Sequence, residues 1–148
     1  FIVVGNGPEE ENLKKFSIEN NLKNIFFEGF RQQDELPTYY ALADVFILPS
    51  FEEVWGLVVN EALASGLYVL CSKYAGAAYD VINNKNGIIF DPENIEEITN
   101  LIKNTKNQIE LIKACREEIS NWAKNYLSIE KSGEAVISAV ESLIKEKY

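Results

Sequence analysis

The stretch Asp44-Val45-Phe46-Ile47-Leu48-Pro49-Ser50-Phe51-Glu52-Glu53-Val54-Trp55-Gly56-Leu57-Val58-Val59-Asn60-Glu61-Ala62-Leu63-Ala64-Ser65-Gly66-Leu67-Tyr68-Val69-Leu70-Cys71 decides the fold. It opens on an apolar run, passes through a loop, takes on helical spacing from Leu57, and returns after Gly66 to a second apolar run. Strand and helix alternating in this way argue for a parallel α/β sheet. The runs Val45-Phe46-Ile47-Leu48 and Tyr68-Val69-Leu70 are apolar on both faces, as strands covered by helices on each side must be. Both are therefore expected nearest the centre of the sheet.

Working outward, short β-branched or aromatic runs bounded by turn residues predict five strands, at residues 1–4, 25–28, 44–48, 67–71 and 87–90. Helical spacing between them predicts helices at residues 9–20, 35–43, 57–65 and, as a short turn, 77–82. The expected fold class is α/β, a Rossmann-like parallel sheet of about five strands flanked by helices. After Asp91-Pro92 three further helices are predicted without a strand, at residues 95–104, 108–126 and 129–147. Their apolar positions are amphipathic, with Ile98, Leu101 and Ile102 in the first and Ala135, Val136, Ala139, Val140, Leu143 and Ile144 in the last. No repeat, low-complexity stretch or linker divides the chain, so residues 1–148 are read as one domain.

Composition narrows the function classes. A chain of 148 residues with 47% hydrophobic and 25% charged residues reads as an ordinary globular protein. The formal net charge of −9 repels phosphate backbones and anionic lipid, which argues against a nucleic-acid or membrane-surface partner. Cys71 and Cys115 form neither a disulfide framework nor metal-ligand spacing, which fits a reducing, cytoplasmic setting. Histidine is absent, so a Ser-His or Cys-His nucleophile pair and a His-based metal site are excluded by inventory. There is no methionine, and the opening run Phe1-Ile2-Val3-Val4 already reads as a strand, so the chain reads as a piece of something longer.

In an open parallel sheet, ligands bind beyond the carboxyl ends of the strands, which is where residues 49–56 fall. Gly56 lets the backbone come close to a ligand, and the free amides of Leu57 and Val58 at the helix start can accept an anion such as a diphosphate. Glu61, about one helical turn in, could reach past the helix end, and its two oxygens match two adjacent hydroxyls such as those of a ribose. Glu53 in the loop would then face the other end of the ligand, where a sugar could sit. Taken alone, this carboxylate pair reads first as solvated glutamates on a loop and a helix.

The surrounding residues add to the pair. Pro49, Ser50, Glu53, Trp55, Gly56, Glu61, Ala62 and Gly66, in order, resemble the signature of the family 4 glycosyltransferases of the GT-B fold. Gly5-Asn6-Gly7-Pro8, Phe26-Phe27-Glu28-Gly29-Phe30, Tyr39-Tyr40-Ala41-Leu42-Ala43-Asp44 and Asn86-Gly87-Ile88-Ile89-Phe90-Asp91-Pro92 are similar to further family segments, over roughly residues 1–105. The resemblance implies the donor-binding half of a retaining glycosyltransferase, a partial GT-B C-terminal domain whose donor is a nucleoside diphosphate sugar, UDP-sugar or GDP-sugar. Glu61 would hold the ribose, the backbone of Gly56, Leu57 and Val58 the diphosphate, and Glu53, as the catalytic residue, a hydroxyl of the transferred sugar. Phe30 and Arg31 would border the base, in part through backbone groups, with Gly5 and Gly7 in the first turn and Trp55 shaping the donor pocket or plugging the top of the sheet. The resemblance also implies a metal-independent transfer with no cofactor, to a glycan, lipid or small-molecule acceptor held by a separate N-terminal domain.

Departures from the pattern bear on specificity. Tyr68 stands where the family usually has Pro, Asp80 where it has Glu, and the loop Tyr74-Ala75-Gly76-Ala77-Ala78 has one Gly where two are frequent. The family's diphosphate-binding Arg and Lys would lie upstream of Phe1, together with a central strand, so this chain alone is expected not to catalyse transfer. Without that strand, the sheet is expected either to close up into one continuous set or to pair with another chain through an open edge. A dinucleotide fingerprint is disfavoured because Glu10 occupies the position of its third Gly. Glu9-Glu10-Glu11 reads as a helix start, and Trp122, Cys71 and Cys115 read as structural. Two other readings stand beside the enzyme: a non-catalytic nucleotide-sugar-binding module, and a structural α/β interaction domain.

Overall fold

The structure is a computed structural model that describes residues 1–145. Five parallel strands and eight helices follow in the order β1 (Ile2–Val4), α1 (Glu10–Glu19), β2 (Phe26–Gly29), α2 (Leu36–Leu42), β3 (Val45–Leu48), α3 (Leu57–Ala64), β4 (Tyr68–Ser72), α4 (Ala78–Val81), β5 (Gly87–Phe90), α5 (Ile95–Asn107), α6 (Ile109–Ala114), α7 (Arg116–Tyr126) and α8 (Ile129–Lys145). The predicted α/β class is the observed one. Of the last predicted helix, residues 146 and 147 lie outside the described residues.

The strands form two ladders. β1 pairs with β2, and β3, β4 and β5 pair in that order, all in parallel. One continuous five-stranded ladder is therefore not formed among the described residues. The chain divides into two compact units, Phe1–Tyr39 and Tyr40–Tyr148.

In the first unit Ile2 pairs with Phe26 and Val3 with Phe27, and the register then slips so that Val4 meets Gly29. The slip is closed by the Gly5 amide, which donates to the Gly29 carbonyl at 2.8 Å. α1 begins with Glu10 and Glu11 in its first turn, where the helix dipole favours negative charge. Lys14 pairs with Glu10 at 2.7 Å, one turn away.

The second unit holds the core. α3 supplies Val59, Ala62 and Leu63, β4 supplies Val69 and Cys71, and α7 supplies Ile119 and Ala123, all buried. β4 is the central strand, buried along Val69 to Ser72, whereas β3 is an edge of its ladder and only half-buried. The expectation that both lie at the centre thus holds for β4 alone. β3 has a ladder partner on one side only, and apolar residues on both faces do not by themselves distinguish a central strand from an edge.

After β5, Asn94 caps α5 by accepting the Glu97 amide at 3.1 Å, with Glu96 and Glu97 in the first turn and Lys106 in the last. The predicted helix over 108–126 is two helices that meet at Cys115. Residues that follow the break bind the second unit's core elements. The Arg116 guanidinium donates to the carbonyls of Ala43 at 2.9 Å and Tyr40 at 3.1 Å, and Ser120 Oγ donates to the Ala64 carbonyl at 2.6 Å. Trp122 stacks on Tyr126 with ring centroids 5.0 Å apart and packs against the core.

Candidate functional site

In the second unit the chain leaves β3 at Leu48 and re-enters regular structure at α3, and the residues between them form the candidate site. Gly56 sets the entry to the helix: its φ of +90° and ψ of 63° place it in the left-handed region, where a side chain is strained. Space is short there as well, since a Cβ would stand 3.2 Å from Leu48 Cδ2 and 3.3 Å from Glu53 Cγ. The turn that follows is closed by the Val59 amide donating to the Gly56 carbonyl at 2.8 Å. Among the described residues, the Leu57 and Val58 amides have no backbone acceptor. A helix start with two open amides is able to receive an anion.

The two glutamates flank this helix start differently. Glu53 is half-buried, and no hydrogen bond or ion pair among the described residues engages its carboxylate. Its backbone is fixed: Glu53 bridges to Ala75, its carbonyl accepts the Gly76 amide at 3.1 Å, and the Trp55 carbonyl accepts the Ala77 amide at 2.9 Å. Gly76 is required for this approach, because a Cβ on it would stand 2.1 Å from the Val54 carbonyl oxygen. Glu61, one turn into α3, accepts the Tyr40 hydroxyl on Oε2 at 2.8 Å. Burial, and then the neighbouring Glu61 carboxylate, push the Tyr40 hydroxyl well above its ordinary pKa, so it remains a donor.

The carboxyl ends of β4 and β5 border the same end of the sheet. Lys73 pairs with Asp91 at 2.6 Å and stands 4.9 Å from the centre of the Tyr74 ring, whose hydroxyl donates to Glu93 at 3.1 Å. The hydrogen bond from Lys73 holds the Asp91 carboxyl below the usual range. Asp80, the acidic residue after the Gly76 loop, is exposed, and Tyr68 is half-buried at the start of β4. Trp55 is about one-third exposed.

In the first unit, Gly5 and Gly7 form the turn after β1, with the Glu10 amide donating to the Gly7 carbonyl at 3.1 Å. Phe30 is exposed just beyond β2. Arg31 is committed within its own unit: Nη2 donates to Glu28 Oε2 at 2.6 Å, the Tyr39 hydroxyl donates to the same oxygen at 3.0 Å, and the guanidinium lies 5.4 Å from the Tyr39 ring centre. These two donors hold the Glu28 carboxyl below the usual range. Buried Arg31 Nε has no hydrogen-bond partner among the described residues.

Sequence reasoning assigned no role to Tyr40, Arg116, Lys73 or the Glu53–Ala75 bridge. The partners of Tyr40 and Lys73 lie 21 and 18 residues away, and that of Arg116 76 residues away, beyond any local pattern. A tyrosine aligned with a carboxylate is visible only once the fold brings them together.

Comparison with known proteins agrees with this architecture. The family described as "Glycosyl transferases group 1" matches residues 1–122, and the chain belongs to that family. The sulfoquinovosyl transferase SQD2 of Arabidopsis thaliana is 35% identical over 127 residues, covering 80% of this chain and 24% of that protein. A GDP-mannose-dependent alpha-(1-6)-phosphatidylinositol monomannoside mannosyltransferase of Mycobacterium tuberculosis is 32% identical over 110 residues, covering 69% of this chain and 29% of that protein. The chain thus spans less than a third of the length of these relatives. Among solved structures, Anabaena HepE in complex with UDP superposes with a TM-score of 0.76 at 23% identity, over 95% of this chain and 40% of that one. Sucrose-phosphate synthase from Thermosynechococcus elongatus gives 0.77 at 22% identity, over 98% and 38%. These likenesses establish the fold, that of a GT-B group 1 glycosyltransferase domain.

Proposed function

We propose that this chain is the donor-binding half of a retaining glycosyltransferase and that its ligand is a nucleoside diphosphate sugar. The observation that carries the reading is the pair Glu53 and Glu61 set on either side of left-handed Gly56, with two open amides at the start of α3. The Leu57 and Val58 amides would receive the diphosphate, Glu61 the ribose, and the unengaged Glu53 carboxylate a hydroxyl of the transferred sugar, with Trp55 shaping that end. For Phe30 and Arg31, in the first unit, the role at the base rests on the resemblance alone, and the Arg31 side chain is already held by Glu28. That UDP occupies HepE supports a nucleotide ligand of this class, with UDP-sugar or GDP-sugar the two candidates. Metal independence rests on the resemblance and on a sequence without histidine.

The family match runs over residues 1–122, which supports reading that stretch as belonging to one donor domain. The acceptor, a glycan, lipid or small molecule, would be held elsewhere in the full protein, so this chain by itself is expected to bind donor without turnover. The exposed apolar residues of β1 and β2 support self-association of the isolated chain. A cytoplasmic setting rests on the two unpaired cysteines. No helix among the described residues is long and apolar enough to cross a membrane.

The test is ligand-observed NMR with UDP, GDP and ADP, on this chain and on the full-length protein, beside Glu61→Ala. Selective binding of one nucleotide, lost in the variant, supports the donor site and names the base. No binding to the full-length protein refutes the reading in favour of a structural domain. Binding without transfer in the full-length protein would favour the non-catalytic module.

A further inference from the structure

We infer that Tyr40 is a positioning residue for Glu61: its hydroxyl fixes one carboxylate oxygen, so that the other is presented to the ribose of the donor. The inference rests on the reading of Glu61 given above. It adds a residue to which that reading assigns nothing.

Four observations support it. The Tyr40 hydroxyl donates to Glu61 Oε2 at 2.8 Å, while Oε1 has no partner among the described residues. Glu61 is half-buried on α3, and among the described residues this hydrogen bond is the one polar contact that fixes its terminal torsion. Such sp²-ended torsions are broad when nothing holds them. The donor is itself held: the Tyr40 ring packs edge-on against Phe46 with centroids 6.2 Å apart, and its backbone carbonyl accepts Arg116 Nη2 at 3.1 Å. Arg116 in turn reaches the end of α3, because its carbonyl oxygen lies 2.5 Å from where a Cβ on Gly66 would stand. One residue at the start of α7 therefore touches both the segment that carries Tyr40 and the turn that ends the helix of Glu61. Burial keeps the Tyr40 hydroxyl protonated throughout the ordinary pH range, so it donates steadily.

The consequence concerns selectivity for ribose. A carboxylate free to rotate still attracts a hydroxyl, but aiming its one free oxygen at the 2′-hydroxyl requires its plane to be set beforehand. Removing the Tyr40 hydroxyl leaves the charge of Glu61 in place and releases its orientation. The loss should fall on the interaction with the 2′-hydroxyl and leave the rest of the nucleotide's binding intact.

The experiment measures the affinity of the full-length protein for whichever of UDP, GDP and ADP binds best, and for its 2′-deoxy counterpart, in wild type, Tyr40→Phe and Glu61→Ala. Tyr40→Phe keeps the ring and its packing on Phe46. Its preference for ribose over deoxyribose is expected to fall about three- to tenfold, the range of one hydrogen bond of modest net worth. Its affinity for the deoxynucleotide should match wild type, which also verifies that the variant is folded. Glu61→Ala is expected to lose the preference altogether. If Tyr40→Phe keeps the wild-type preference while Glu61→Ala loses it, the ribose reading stands and the role of Tyr40 is refuted. Equal weakening of both nucleotides in Tyr40→Phe also refutes it, since a purely structural role gives that pattern. If wild type itself shows no ribose preference, the Glu61 reading fails and this inference fails with it.

Discussion

At Gly5, Gly7 and Gly29 in the first compact unit, an added methyl group would meet nothing within 4 Å, whereas at Gly66, Gly76 and Gly87 in the second it would stand 2.1–2.5 Å from a backbone carbonyl oxygen. The buried hydrophobic residues divide in the same way, all of them lying between Val59 and Ala123. In the first unit the strand residues Ile2, Val3, Val4 and Phe26 are exposed. Two units with the same local grammar of strand, turn and helix are thus held by different means. The second is fastened by side-chain burial and by backbone surfaces in direct contact; the first by a two-strand ladder and a cluster of polar side chains around Glu28. The difference places the rigid geometry where Glu53 and Glu61 are.

The sharpest way to break this contrast is to hollow out each unit. Leu63→Ala, at a position with no exposed surface, should cost about 2–5 kcal/mol of unfolding free energy in urea titrations, the usual range for a buried Leu truncated to Ala. Phe16→Ala, at 57% exposure on α1, should stay within about 0.5 kcal/mol, as substitutions of exposed residues usually do. Equal losses would show that the first unit has a core of its own.

A smaller effect is expected from filling space. A Cβ at Gly87 would stand 2.3 Å from the Val69 carbonyl oxygen, on the central strand, so Gly87→Ala should destabilise by about 1–3 kcal/mol through overpacking. Gly7→Ala meets nothing and should stay within about 0.5 kcal/mol. Thermal unfolding of the two variants side by side reads the difference directly.

Acid provides a third test, smaller again. The folded carboxyl of Asp91 is held below its usual value of 3.8 by Lys73, so its contribution is complete above that value and is lost as the pH falls through the lower folded value. Asp91→Asn should be slightly less stable than wild type at pH 7, and the gap should close as the pH drops below 3.8. A gap unchanged by acid would mean the ion pair contributes nothing. Glu28 has the same sign in the first unit, with Arg31 as its main cause, so Glu28→Gln should behave alike below 4.5.

The smallest effect sharpens the contrast inside the second unit. Burial pushes the Cys71 thiol up to about 11, and the side chain has no exposed surface, whereas Cys115 is half-buried. At pH 8 a thiol reagent should label Cys115 first and reach Cys71 only in denaturant, since the thiolate is the reacting form. Rapid labelling of Cys71 would reveal local opening of β4.

Element type was legible from the sequence because Gly, Pro and Asn punctuate each apolar run, and the five strands fall within about a residue of their predicted limits. Two features of the fold were not. The apolar spacing over 108–126 is continuous, so nothing local marks the break at Cys115, where Arg116 turns to carbonyls more than 70 residues away. Val45-Phe46-Ile47-Leu48 is apolar throughout and reads as a central strand, yet its position in the ladder depends on pairing partners. For the candidate site, the loop and helix start around Gly56 were legible because the glycine and the block around it are contiguous. The hydroxyl that meets Glu61 and the loop that meets Glu53 come from distant segments, and pairings of that kind are fixed by the folded chain alone.

The bridge between Glu53 and Ala75 bears on the timing of recognition. Residues 53 and 55 are hydrogen-bonded to residues 76 and 77 by the chain's own backbone, so the loop needs no ligand to hold it in order. For the proposed donor, arrival would then have no loop-folding step to wait for, and association would be limited by diffusion and orientation. Under those conditions two competing ligands should differ little in how fast they arrive and mainly in how long they stay.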